Sequence, residues 1–461
     1  MMERLNRRSF LTMAGAGVAA ASAAGRAKAQ EAPGRKRNVL VYVVDDQGTN
    51  DAGCYGNPVI KTPGLDRLAA EGTRFTHGFC TSASCSASRS VILSGLHNHA
   101  NGQYGHQHSY HHFASFDDVE SLPVRLSKAG YRTGQLGKYH VAPEHVYHFD
   151  TYLKAKGNVP TTMADACRDF VAEDSEKPFF LYFCTTQPHR PFHRQGADPV
   201  SPEDVIVPPY LPDSPECREE LAKYYGSVQT ADAGLLRLIE ILEETGHWND
   251  TLIIYVSDNG IAFPGAKTNL YEPGMNLPCV VRDPYAESTG TVTDAMVTWA
   301  DIAPTVLDFA GVDTGEKEFH GRSFLPVVRD GSSDGWDEIY ASHTFHEITM
   351  YYPMRVVRER RYKLIWNIAH GLQYPFASDL YASATWQGIV ERGEEYYAKR
   401  KVDAYLHRPE FELYDLETDP HEVNNLADNP DHAGTLKRLK DKLRAFQKRT
   451  SDPWIVKWEH E

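Results

Sequence analysis

Three short runs of nearly unbroken apolar residues constrain this chain most: Asn38–Val44 (NVLVYVV), Pro178–Thr185 (PFFLYFCT) and Thr251–Val256 (TLIIYV). A strand with one wet face alternates apolar and polar residues, and these runs do not. Each must therefore be covered on both faces, as in a parallel sheet flanked by helices. The intervening segments carry helix signals. Pro63–Gly72 reads as a short helix before an extended Thr73–Cys80, and Leu122–Ala129 as a helix closed by Gly130, ahead of a strand at Thr133–Leu136. Glu219–Thr245 has helical periodicity, with Leu235, Leu236, Ile239, Ile241 and Leu242 near one face. The expected fold is α/β, with a large mixed, mostly parallel sheet sandwiched by helices.

Beyond about residue 340 the texture changes. Met354–Ile368 predicts two strands around a charged turn, Phe411–Leu416 another strand, and Ala433–Lys448 a helix. The expectation is a catalytic domain over residues 30–345 and a smaller C-terminal α+β domain with an antiparallel sheet over 346–461, with Asp330–Asp337 in the linker region. Residues 1–29 read as a twin-arginine signal peptide: Arg7-Arg8 precede an Ala/Gly-rich run and an Ala27-Lys28-Ala29 cleavage site. An ordinary secretory leader or an uncleaved anchor is the alternative. Export to a bacterial periplasm or beyond follows, with no membrane span after the leader. The net charge of -14, about -18 without the leader, argues against a nucleic-acid partner. An anionic substrate therefore needs a locally gathered set of cations.

Two of the apolar runs end in acids, Val44 in Asp45-Asp46 and Val256 in Ser257-Asp258-Asn259. Ligands of such sheets bind beyond the carboxyl ends of the strands. Asp45, Asp46, Asp258 and Asn259 form a hard-oxygen set suited to calcium or magnesium; helix or turn caps are the plainer alternative. Cys85, in a small polar segment before an apolar helix at Val91–Leu96, has a helix start beside it to favour an anion, and Arg89 could fork to an oxyanion. An inert buried cysteine fits the pattern equally. Lys138 and His140 follow one strand, His189 and Arg190 another, and Lys267 lies shortly after Asp258-Asn259; together they would build a cationic pocket, though each alone could be a solvated loop residue. The histidine-rich run Gln103–His112 reads as a loop near the pocket mouth, structural rather than ligating. Seven cysteines without a C-x-x-C pair exclude a zinc ribbon, and their odd number leaves at least one unpaired or modified.

These residues also carry a resemblance. Cys85-Ser86-Ala87-Ser88-Arg89 resembles the sulfatase signature C-x-[P/A]-x-R, whose cysteine becomes formylglycine, and Phe411–Leu426 resembles that family's C-terminal hallmark. The resemblance implies an alkaline-phosphatase-like fold. It also implies calcium on Asp45, Asp46, residue 85, Asp258 and Asn259, with sulfate bound by Arg89, Lys138, His140, His189 and Lys267. Segments 97–113, 257–274 and 346–355 and Asp452-Pro453-Trp454 are similar to the heparan N-sulfatase (sulfamidase) branch. That branch implies a sulfated glycosaminoglycan oligosaccharide with terminal N-sulfated glucosamine as substrate, a formylglycine-generating enzyme as maturation partner, and is compatible with a homodimer. Arg190, His346 and Glu347 are the candidates for sugar recognition. Ala87 stands where animal members have proline, and Lys267 where sulfamidases carry arginine. A glycan O-sulfatase, a phosphoesterase of the same superfamily and an unconverted glycan-binding protein are the competing expectations.

Overall fold

A computed structural model describes residues 37–173, 175–314 and 319–460. The expected leader, residues 1–29, lies outside the described residues. Residues 37–461 form one compact unit. Its principal sheet contains β1 (Asn38–Val44), β2 (Thr73–Phe79), β3 (Arg132–Gly137), β4 (Thr151–Tyr152), β5 (Phe179–Cys184), β6 (Thr251–Ser257), β7 (Asn276–Arg282), β8 (Thr291–Thr293) and β9 (Val297–Thr298). The spatial order is β4-β3-β5-β1-β6-β7-β2-β8, with β9 also on β2. All pairings are parallel except those of β7 with β6 and β2. The three apolar runs are β5, β1 and β6, adjacent at the centre.

Their lack of alternation has the expected cause. Val39, Val41 and Val43 enter one hydrophobic cluster, while Leu40, Tyr42 and Val44 enter the cluster on the opposite face. Phe180 and Tyr182 of β5 face the first cluster; Phe179, Leu181 and Phe183 face the second. Each such side chain contributes about 1.5–3 kcal/mol on burial, so exposing either face is untenable. The second face is covered by the 30-residue helix Pro215–Glu244, which begins earlier than its periodicity predicts because Ser214 caps it, accepting from Cys217 N at 3.3 Å. Leu238 takes the core position expected of Leu236, which is only half-buried.

The first face carries the helix Cys85–Ser94, which packs with the helix Ile302–Ala310 into the first cluster. This helix starts at Cys85, six residues ahead of the expected Val91. The early turn contains serines and Arg89 rather than apolar residues, yet all of it is buried. Tertiary hydrogen bonds, such as Asn98 Nδ2 to the Ala87 carbonyl at 2.8 Å, replace apolar contacts there.

A second, antiparallel sheet joins β10 (Glu338–His343), β11 (Met354–Glu359), β12 (Tyr362–Asn367) and the strand Phe411–Asp415. It begins at Glu338, ahead of residue 346. Here alternation holds: Val356 and Ile365 join the first core cluster, whereas Val357, Leu364 and Leu413 pack under Leu439 and Leu443 of the helix Ala433–Arg449. β10 itself meets the segment that follows β2, with Ser342 N donating to the Thr81 carbonyl at 2.8 Å.

Candidate active site

β3, β5, β1 and β6 lie side by side and parallel, so four chain exits open at one edge. The register aligns Gly137 with Cys184, Val43 with Cys184, and Val44 with Ser257. Short bonds then tie the exits together: Lys138 N to Cys184 O (3.1 Å), Asp45 N to Gln187 O (3.0 Å) and Asp258 N to Val44 O (3.1 Å). Gly137, with φ of 92°, is required at the β3 exit, because a Cβ there would sit 1.9 Å from the Cys184 carbonyl oxygen. Three residues with side chains also adopt left-handed backbone at this edge: Asp46 (φ 69°), His140 (φ 55°) and Thr268 (φ 66°). Each costs about 1–2 kcal/mol. Such strain concentrates where surrounding contacts must aim a side chain against its local preference.

Asp46, Cys85, Arg89, Asp258, Asn259 and Lys267 are all buried at the floor of this edge. Arg89 donates to Asp258 Oδ2 through Nε (2.9 Å) and to the Lys138 carbonyl through Nη1 (3.0 Å), while its Nη2 lies 2.8 Å from the same Asp258 oxygen as an ion pair. Lys138 Nζ donates to both oxygens of Asp45 (2.8 and 2.6 Å). Lys267 Nζ donates to Asp46 Oδ2 at 3.0 Å, and Asn259 Nδ2 donates to Asp46 Oδ1 at 2.6 Å. Burial works against the charge of Asp45, but Lys138 and His189 outweigh it and hold this carboxyl below its ordinary range. For Asp258 burial wins over Arg89 and the carboxyl is pushed up. Burial opposes the charge of Lys267, yet Asp379 and Asp46 raise it well above the usual lysine value.

The residues present fit a hard divalent cation. Ligand atoms from Asp45, Asp46, Cys85 and Asp258 lie within 4.8 Å of one another, and Asn259 Oδ1 is buried without a hydrogen-bond partner. Carboxylate and amide oxygens suit calcium or magnesium. Cys85 Sγ donates to Asp46 Oδ1 at 3.8 Å, and burial, only partly offset by Lys138 and Lys267, pushes its thiol well above the normal cysteine range. A thiol so reluctant to ionise is a poor nucleophile.

Above this floor opens a cavity of about 1110 Å³ whose wall includes Asp45, Cys85, Lys138, His140, His189 and Lys267. His189 Nδ1 faces the Arg190 carbonyl and so must carry hydrogen, leaving Nε2 to accept from Lys267 Nζ at 3.0 Å. His140 Nε2 contacts His108 Nδ1 at 2.7 Å, while its own Nδ1 is buried and unpartnered. Burial, reinforced by Lys138, pushes the His140 pKa well below the imidazole norm, so the ring is neutral.

The sugar-recognition candidates lie on the same wall but differ in availability. The Arg190 guanidinium is already held by Glu220 and by the Ala262 carbonyl (2.7 Å), and stacks on Phe192 and Phe263. His346 is buried between Ser84 Oγ and His106 Nε2, each at 2.9 Å. Glu347 accepts from the backbone N and Oγ of Ser378 at 2.8 and 2.6 Å. Two features escaped sequence reasoning. His106 and His108, from the run read as structural, bring ligand atoms within 4.8 Å of each other and of His140. Asp379 reaches Lys267 Nζ at 2.9 Å, and no local pattern marks it.

Known proteins resemble this chain along most of its length. Residues 37–312 match the family described as Sulfatase, and residues 266–378 match "N-sulphoglucosamine sulphohydrolase, C-terminal". The chain is 38% identical to the human N-sulphoglucosamine sulphohydrolase, over 91% of this chain and 92% of that protein. It is 28% identical to an ulvan-active sulfatase of Formosa agariphila, over 90% and 81% of the two chains. A solved structure of a protein bound to its substrate D-glucosamine-2-N,6-O-disulfate superposes with a TM-score of 0.69 at 21% identity, covering 93% of this chain and 100% of that one.

Proposed function

Given that the chain belongs to the sulfatase family and is a hydrolase of sulfate esters or sulfamates, we propose that it removes the N-linked sulfate from glucosamine at the non-reducing end of heparan-type oligosaccharides. The observation that carries this reading is the convergence of Cys85, an oxygen-ligand floor and three cations at one sheet edge, in a chain 38% identical to a sulfamidase along nearly its full length.

Calcium held by Asp45, Asp46, Asp258 and Asn259 would supply positive charge to the attacking oxygen and the sulfonate. Cys85, converted to formylglycine, would supply a hydrated aldehyde whose second hydroxyl allows the aldehyde to be restored, which a thiol cannot do. The remaining chemistry belongs to side chains of this chain. Lys138 and Lys267 flank position 85 and neutralise the sulfonate oxygens. Arg89 fixes Asp258 and the Lys138 carbonyl, and so fixes the direction from which Lys138 approaches. His189 Nε2, which faces the Lys267 ammonium, takes up a proton from solvent and delivers it to the departing nitrogen. His140, neutral and with a free Nδ1, accepts the proton lost when sulfate is expelled. The paired arginines of residues 1–29 support action outside the bacterial cytoplasm.

The deciding experiment measures sulfate released from N-sulfated and from 6-O-sulfated glucosamine by the calcium-loaded protein, alongside the mass of the peptide containing residue 85. Release from the N-sulfated sugar, with a mass about 18 Da below that of the thiol peptide, is the expected result. Release from the 6-O-sulfated sugar alone overturns the substrate assignment, and full activity with an intact thiol overturns the mechanism.

A further inference from the structure

The wall of a site built to take a sulfonate contains an acid that the mechanism above does not use. Asp379 stands on the short helix Ser378–Tyr381 and lines the cavity. Its Oδ2 accepts from Lys267 Nζ at 2.9 Å and lies 3.8 Å from His189 Nε2, while Oδ1 is buried without a partner. Lys267 does not need this acid for neutralisation, since Asp46 already accepts from it at 3.0 Å. A further carboxylate beside the sulfonate cations repels an anionic substrate. Its presence calls for a donor on the ligand, on the side of the site where His189 meets the leaving atom.

A sulfamate has such a donor and a sulfate ester does not. The atom bridging sulfur and sugar carries a hydrogen when it is nitrogen; when it is an ester oxygen it offers only lone pairs, which a carboxylate repels. When the N–S bond breaks, its electron pair stays on nitrogen. The nitrogen takes one proton from His189 to leave as an amine, and the sulfonyl group passes to the attacking oxygen. At neutral pH the freed amine takes a second proton from water and becomes a cation, whereas an alcohol product stays neutral. We propose that Asp379 is the specificity-determining residue for the bridging nitrogen: it accepts the sulfamate N–H in the bound substrate and pairs with the ammonium of the product. This rests on the sulfamidase reading and deepens it.

The test uses the calcium-loaded, converted enzyme and the variants Asp379→Asn and Asp379→Glu, with N-sulfated glucosamine as substrate. Glucosamine, glucose and inorganic sulfate serve as competing ligands. In the wild type, glucosamine should inhibit at least about 10-fold more tightly than glucose. In Asp379→Asn, kcat/KM should fall by about 30-fold or more. Inhibition by glucosamine should weaken about 10-fold, while inhibition by sulfate and glucose stays within about 2-fold. Asp379→Glu should recover part of the glucosamine preference. Were Asp379 merely a prop for Lys267, sulfate and glucosamine would weaken together, and that outcome overturns the proposal. Equal inhibition of the wild type by glucosamine and glucose also overturns it, without any variant. If the wild type releases no sulfate from N-sulfated glucosamine, the function reading fails and this proposal with it. Release with an inhibition pattern unchanged in Asp379→Asn overturns this proposal alone.

Discussion

Arg89→Met is the sharpest probe of how the acidic floor is held together. Methionine fills a similar volume without charge, so packing is largely kept while Asp258 Oδ2 loses the Nε hydrogen bond at 2.9 Å and the Nη2 ion-pair contact at 2.8 Å. Asp258 Oδ1 keeps its backbone donors, Asp46 N at 3.1 Å and Asn259 N at 2.8 Å. Removing one partner of a fully buried ion pair costs about 3–5 kcal/mol. The Lys138 carbonyl also loses its donor, worth about 1 kcal/mol. The expected deficit is therefore about 4–6 kcal/mol, set against a total stability of about 5–15 kcal/mol for a folded chain. Calcium on the proposed site would act in the opposite direction. With Arg89 gone, its two charges compensate the same carboxylates, and a cation at 100 times its Kd stabilises by about 2.7 kcal/mol. Urea melts followed by near-ultraviolet circular dichroism, in chelator and in excess calcium, read both effects. The deficit should be largest in chelator and shrink in calcium. A deficit below about 1 kcal/mol in chelator, or one that ignores calcium, refutes the reasoning that Arg89 and the cation share the floor.

Other consequences can be measured separately. Cys85→Ala should abolish sulfate release while the thermal melt moves little, because a buried thiol is replaced by a smaller apolar group; retained turnover contradicts its role as nucleophile precursor. Chelation of the wild type should lower its melting temperature and re-addition of calcium restore it, whereas Asp46→Asn should blunt that response. Asp452→Asn, which breaks the fork from Arg355 at 2.6 and 3.0 Å, should cost about 3–5 kcal/mol at pH 7. Burial opposes the charge of Asp452 but Arg355 holds its carboxyl far below normal, so its contribution is present above the unfolded pKa near ~3.9 and fades only as pH falls through the folded value. Burial pushes His343 down to about 3. Its neutral state favours folding above the unfolded pKa of about 6.5, and acidification from pH 7 to 5 should cost about 2 kcal/mol at this one residue. His343→Gln should show an acid loss smaller by that amount in urea melts; equal pH slopes would mean the folded ring takes the proton.

What could be read beforehand follows from the range of the forces involved. β1, β5 and β6 were legible because two-sided burial writes itself into consecutive residues, Val39 to Val44 most clearly. The acids at the ends of β1 and β6 were legible because strand exits on parallel neighbours must share an edge. The first turn of the helix Cys85–Ser94 was not, since Cys85-Ser86-Ala87-Ser88 has no apolar period and is held by partners such as Asn98. Arg190 looked like a free cation only until Glu220, thirty residues further along, came to meet it. Asp379 was invisible for the same reason: its meaning lies in a contact with Lys267 across 112 positions of chain.

The complete burial of Cys85 turns, finally, into a matter of timing. The thiol forms part of the floor of a cavity of about 1110 Å³, too small to take the active site of another protein. Its neighbours Asp46 and Asp258 come from segments far away in sequence, so the cover over residue 85 closes only when the long-range sheet is complete. On the proposed conversion of Cys85, the oxidising enzyme must act in the interval between synthesis and that closure. The fraction of active molecules is then set by a race, with folding speed competing against maturation. A substitution that merely accelerates folding could lower specific activity without touching a single active-site atom.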